Sequence, residues 1–107
     1  MQTMQLTSQS IQGDQVSSYL VLDVTHSHMT RRFAEIKFDG DMPLSQIKDQ
    51  LENRIGTSVA DQSLALKNCK NELVAQMNDD LMTLHQYGAQ NGYLIHITDN
   101  NSHAVMG

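Results

Sequence analysis

The sequence predicts an α+β fold in which a mixed sheet of four to five strands is packed on one face by a single α-helix at about residues 43–55. Three observations predict it. One stretch carries a helical apolar period, the other apolar stretches alternate as strands do, and 107 residues suffice for one modest core. Such a chain offers no cleft between domains.

The helical stretch reads PLSQIKDQLENRIG over residues 43–56. Leu44, Ile47, Leu51 and Ile55 recur at steps of three, four and four, so they share one stripe, while Gln46, Asp49, Glu52 and Asn53 fall elsewhere. The ends are punctuated. Asp41 stands just before the start, Pro43 suits a first turn that lacks intrahelical N–H partners, Arg54 sits in the last turn, and Gly56 can take the left-handed cap. The stripe belongs to the core. Lys48 lies beside it, with a stem expected to pack and an ammonium expected to reach a carboxylate or water.

Residues 1–18 are rich in Gln, Ser and Thr without either structural period, and are expected to be a disordered tail. Residues 19–25 alternate, with Leu20, Leu22 and Val24 on one face and Tyr19, Val21, Asp23 and Thr25 on the other. After a turn at 26–30, alternation resumes over 31–38 with Ala34, Ile36 and Phe38 in phase and Phe33, Glu35 and Lys37 opposite. The two segments make an antiparallel hairpin. Arg31 and Arg32 fall on it and suit a structural ion pair.

Beyond the helix, 57–62 reads as a connection and 63–67 as a strand with Leu64 and Leu66 facing in. A turn at 68–71 precedes the brief apolar pair Leu73 and Val74. Another turn at 78–80 leads to a single helical turn over 81–84, and Asn91-Gly92 marks a last tight turn. Residues 93–98 form a strand with Ile95 and Ile97 buried and Leu94, His96 and Thr98 outside; residues 100–107 are expected to fray. One helix covers one sheet face, which leaves the other to solvent or a partner.

Twelve acidic against seven basic side chains give a formal charge of −5, which argues against nucleic acid or an anionic membrane as the partner and favours a basic one. The single Cys69 cannot form an internal disulfide, and no apolar run approaches the roughly 18 residues of a membrane span. With no secretory signal pattern at Met1, a reduced, cytoplasmic protein is expected.

The order strand, strand, helix, strand, short strand, one-turn helix, strand, between residues 19 and 99, resembles a ubiquitin-like β-grasp fold, whose first and last strands are parallel neighbours. Within it, Leu84-His85-Gln86-Tyr87-Gly88 followed by Asn91-Gly92-Tyr93-Leu94-Ile95-His96-Ile97-Thr98-Asp99 resembles the amino-terminal ubiquitin-like domain of the tubulin-folding cofactor B family. That family shows a Leu-x-x-Tyr turn and an Asn/Asp-Gly-x-x-Ile-His-x-x-Asp strand. Leu44, Ile47-Lys48, Leu51-Glu52 and Gly56 match its helix pattern. Gly88 and Gly92 stand at turns expected to need positive φ. Tyr87 is expected to bury its ring and satisfy its hydroxyl on loop backbone.

By this resemblance the protein is a non-enzymatic, cytoskeleton-associated interaction domain acting in α-tubulin capture and, with cofactor E, in tubulin heterodimer assembly and dissociation. The family continues into a coiled segment and a CAP-Gly domain, so this chain is expected to be one excised, monomeric domain. The alternative is a general ubiquitin-like adaptor that docks on the proteasome or a ubiquitin ligase. Ubiquitin carries an apolar patch on its open sheet face; the matching positions here are Ala65, His96 and Thr98, a more polar set and the candidate partner-binding residues. Conjugated modifiers end in two glycines, whereas this chain ends Ala104-Val105-Met106-Gly107.

Catalytic and metal signatures are not found in the sequence. His26 and His28 read as solvated turn residues because a zinc site wants about four ligands. Cys69 reads as a small semi-buried thiol with no fixed cation or helix start to activate it. Asp39, Asp41, Asp79 and Asp80 lack calcium-loop spacing and read as turn formers. No phosphate loop, nucleophile elbow or His-Glu-x-x-His segment occurs, and no cofactor is expected.

Overall fold

In a computed structural model of the chain, residues 18–101 are described. The expected tail, Ser18 apart, and the expected frayed end, Asn100 and Asn101 apart, lie outside the described residues. Helix α1 runs over Leu44–Ile55 and buries Leu44, Ile47 and Leu51, as its apolar spacing predicts. Pro43 has φ −63° and ψ 151°, so it precedes the helix as its cap position instead of filling the first turn. Gly56 closes the other end at φ 100°, donating its N–H to the Glu52 carbonyl.

The strands are β1 Tyr19–His26, β2 Met29–Asp39, β3 Gln62–Lys67, β4 Leu73–Met77 and β5 Leu94–Asp99. They form one sheet in the order β2-β1-β5-β3-β4. The β1–β5 pair is parallel, from Asp23 opposite Leu94 to His26 opposite Ile97, and the other neighbours are antiparallel. The core is a single cluster. Leu20, Leu22 and Val24 of β1, Phe38 of β2, Leu64 and Leu66 of β3, and Ile95 and Ile97 of β5 meet the α1 stripe within it.

The hairpin departs from simple alternation. Leu22 pairs with Ile36 but Val24 pairs with Phe33, so β2 takes three steps where β1 takes two, and Glu35 sits at φ 58°. This bulge reverses the expected phase: Phe33 packs against the core while Ala34 is exposed. A non-glycine residue in the left-handed region costs about 1–2 kcal/mol. Asp23 offsets that cost, accepting the Glu35 N–H at Oδ1 (2.9 Å) and the Arg32 Nε–H at Oδ2 (2.7 Å). The Glu35 amide first and Arg32 second hold its carboxyl below the usual aspartate value, against the opposing effect of burial.

Between α1 and β3 lies a 3-10 turn, Val59–Asp61, and the Gln62 side chain donates to the carbonyls of Lys48 and Thr57. The expected Leu73–Val74 pair extends to Met77, and it is Met77 that enters the core; Leu73 and Val74 stay exposed. The one-turn helix α2 is Leu84–Tyr87, three residues later than expected. Its start is fixed by a reciprocal cap: Thr83 Oγ1 accepts the Gln86 N–H, and the Gln86 side chain accepts the Thr83 N–H. The Tyr87 hydroxyl bonds to the backbone of Asp79, accepting its N–H and donating to its carbonyl. Lys48 reaches the carboxylate of Asp80 at 3.0 Å with its side chain largely buried.

Candidate functional site

The sheet face turned away from α1 is set by strand alternation. Because Ile95 and Ile97 enter the core, Leu94, His96 and Thr98 stand on the opposite face. Leu64 and Leu66 likewise turn Ser63, Ala65 and Lys67 outward. Register brings the three sequence candidates together: Ala65 lies directly opposite His96, and Thr98, two residues along β5, lies opposite Ser63. Ala65 and His96 are half-buried, and Thr98 is exposed.

His96 is held from β1. Its Nδ1 lies 2.7 Å from Thr25 Oγ1, across the parallel pair. Burial pushes its pKa below the ordinary histidine value, and the charge of Lys67, joined by His26 whenever that ring is protonated, acts in the same direction. The neutral ring is therefore favoured at this position. Such a face, with one hydroxyl-bound imidazole, a small apolar residue and a threonine, can exchange hydrogen bonds and apolar contacts with a partner.

The candidates are not the most apolar part of this face. Tyr19 and Val21, at the start of β1, are 49% and 41% exposed, and Lys37 Nζ lies 4.4 Å from the Tyr19 ring centroid. Their outward phase was a legible signal that they, too, belong to the open face. Leu94 departs from expectation: it is 4% exposed but outside the core cluster, flanked in register by Asp23 and Lys67. It is a buried apolar residue of the open face, covered although its strand position faces outward.

Two further expectations fail. His26 is not a solvated turn residue but the buried end of β1, 4% exposed, with Nε2 2.7 Å from Thr57 Oγ1 and Nδ1 accepting the His28 N–H at 3.0 Å. Cys69 is exposed, not semi-buried. His85 pairs with Asp41 at 2.8 Å on the surface. Among the described residues no group of three His, Cys, Asp or Glu side chains could hold a metal ion, and no helix is long and apolar enough to cross a membrane. An open depression on α1, lined by Gln50, Asn53 and Arg54, gathers no such groups either.

The single helix across a mixed sheet, with parallel first and last strands and a one-turn helix before the last, defines a ubiquitin-like domain. The family pattern described as ubiquitin-like domain matches residues 19–104, and the chain belongs to that family, whose fold is non-catalytic. Within the family, the chain is similar to tubulin-folding cofactor B of Arabidopsis thaliana, at 29% identity over 84 residues, which make up 78% of this chain and 35% of that protein. The chain thus spans about a third of that relative's length. A solution structure of a ubiquitin-like domain from tubulin-binding cofactor B is 26% identical with a TM-score of 0.69, over 78% of this chain and 92% of that one. Tubulin-binding cofactor B of Trypanosoma brucei shares the fold, with a TM-score of 0.74 at 19% identity over 78% of this chain and 98% of that one.

Proposed function

We propose that this chain is the interaction domain of a cofactor B-like protein that acts by binding, without catalysis, in α-tubulin capture and, together with a cofactor E-like partner, in assembly and dissociation of the tubulin heterodimer. The observation that carries this reading is the similarity to tubulin-folding cofactor B across the length of the domain. The site would be cytoplasmic and cytoskeleton-associated, as tubulin is. Binding is assigned to the open sheet face around Ala65, His96 and Thr98, because α1 occupies the other face and an unpaired face is free to receive a partner. Nucleic acid is disfavoured by the net charge of −5.

The test is retention of purified α/β-tubulin, with and without cofactor E, on the immobilised chain, run beside proteasomal and ligase-derived ubiquitin receptors. The reading expects retention of tubulin or of its complex with cofactor E. Retention of ubiquitin receptors with no tubulin signal in either arm would overturn it in favour of an adaptor.

A further inference from the structure

The turn entering β5 bonds to β1 in an unusual way. Regular parallel pairing begins where Asp23 donates its N–H to the Tyr93 carbonyl at 3.0 Å. One step earlier, Val21 accepts the Gly92 N–H at its carbonyl (2.9 Å) and donates its own N–H to the side-chain Oδ1 of Asn91 (2.8 Å). The Asn91 amide thus stands in for a backbone carbonyl and supplies the first rung of the ladder. Val21 holds both groups.

Those two groups are also the reactants of a known backbone chemistry. In an Asn-Gly pair the deprotonated glycine nitrogen can attack the asparagine Cγ; the new N–Cγ bond closes a five-membered imide, the Cγ–Nδ2 bond breaks and ammonia leaves. Water then opens the imide at either carbonyl, giving aspartate or isoaspartate. Glycine favours the step because no Cβ shields its nitrogen. Asn91-Gly92 is the one Asn-Gly pair in the sequence.

We propose that Asn91-Gly92 is a spontaneous deamidation site latched by Val21, closed while the rung is made and reactive when this end of the β1–β5 pair opens. In the closed state the Gly92 N–H is engaged with the Val21 carbonyl and the Asn91 side chain is tethered by the Val21 N–H, so neither can move onto the other. One separation of the strands frees both. The aspartate product keeps an oxygen at the rung position, whereas isoaspartate adds a backbone carbon to the turn and loses the register of Gly92 with Val21. Modification by the second route therefore fixes the open state.

The test follows deamidation of the whole chain by peptide mass mapping, folded in neutral buffer and unfolded in guanidinium, with hydrogen exchange of the Val21 and Gly92 amides measured in parallel. Asn91 should be the first asparagine converted in the unfolded chain. In the folded chain its conversion should be slowed by about tenfold or more, the factor that corresponds to about 1.4 kcal/mol of local opening. The Val21 and Gly92 amides should exchange with matching protection. Equal conversion rates in the two states, or a Gly92 amide that exchanges freely while Val21 stays protected, would overturn the latch.

Discussion

His26 Nε2 and Thr57 Oγ1 meet at 2.7 Å inside the fold, joining the end of β1 to the segment that leaves α1. Since Nδ1 accepts the His28 N–H, the ring proton resides on Nε2, which donates to Thr57; Asp99 Oδ2 stands 3.6 Å from the same nitrogen. Thr57→Val keeps the shape and removes the acceptor, leaving a buried donor poorly satisfied. Chemical denaturation should show a loss of about 1–3 kcal/mol. An unchanged midpoint would mean that Asp99 takes over the bond without cost.

Acid should weaken the fold through His96. Its folded pKa lies below the ordinary value of 6.5, chiefly because burial disfavours the cation. In the unfolded chain the ring takes up a proton sooner as pH falls, so the stability contributed by the neutral folded ring is complete above that value and is lost as pH drops through it. The stability of the parent chain should fall more steeply with decreasing pH than that of His96→Gln just below 6.5, and the two pH slopes should match well above that value. Identical slopes would contradict the assignment.

The α1 stripe predicts a contrast between neighbours. Leu51 is fully buried and Asn53 exposed. Leu51→Ala should cost roughly 2–5 kcal/mol as a core truncation, and Asn53→Ala should stay within about 0.5 kcal/mol. A thermal melt with the order reversed would refute the packing.

Gly40 is fixed by close approach. A Cβ there would lie 2.5 Å from His85 Nε2 and 2.8 Å from the Ser18 carbonyl oxygen, while the Gly40 backbone bonds to both of those residues. Gly40→Ala should therefore destabilise by about 1–3 kcal/mol through overpacking. Adding His85→Ala should recover only part of the loss, because the Ser18 backbone remains; full recovery in a melt would show that the carbonyl yields.

Most of the fold is legible in the sequence because burial sets the side-chain period. The α1 stripe and the alternation of Leu20, Leu22 and Val24 needed no tertiary information. What was not legible came from interactions between distant residues. The bulge that swaps Ala34 for Phe33 depends on Asp23 reaching the Glu35 amide across the hairpin, and alternation within residues 31–38 contains no trace of that bond. His26 looks like a turn residue until Thr57 and Asp99 arrive beside it. The α2 start could have been found, since Thr83 followed three residues later by Gln86 is a capping-box spacing. Of the site, phase alone places His96 and Thr98 on the open face; the bond from His96 to Thr25 and the burial of Leu94 depend on the parallel pairing.

Partner binding at the open sheet face, as proposed, is tested most directly by paired substitution within that face. Ala65→Asp together with His96→Ala places a charge and removes the imidazole at facing positions of β3 and β5, while the core residues behind them are unchanged. Titration of the folded double variant against tubulin and cofactor E, with folding verified by its melt, should show affinity reduced by at least about tenfold, or about 1.4 kcal/mol. Affinity equal to that of the parent chain would rule out the open face and move the binding site elsewhere on the domain.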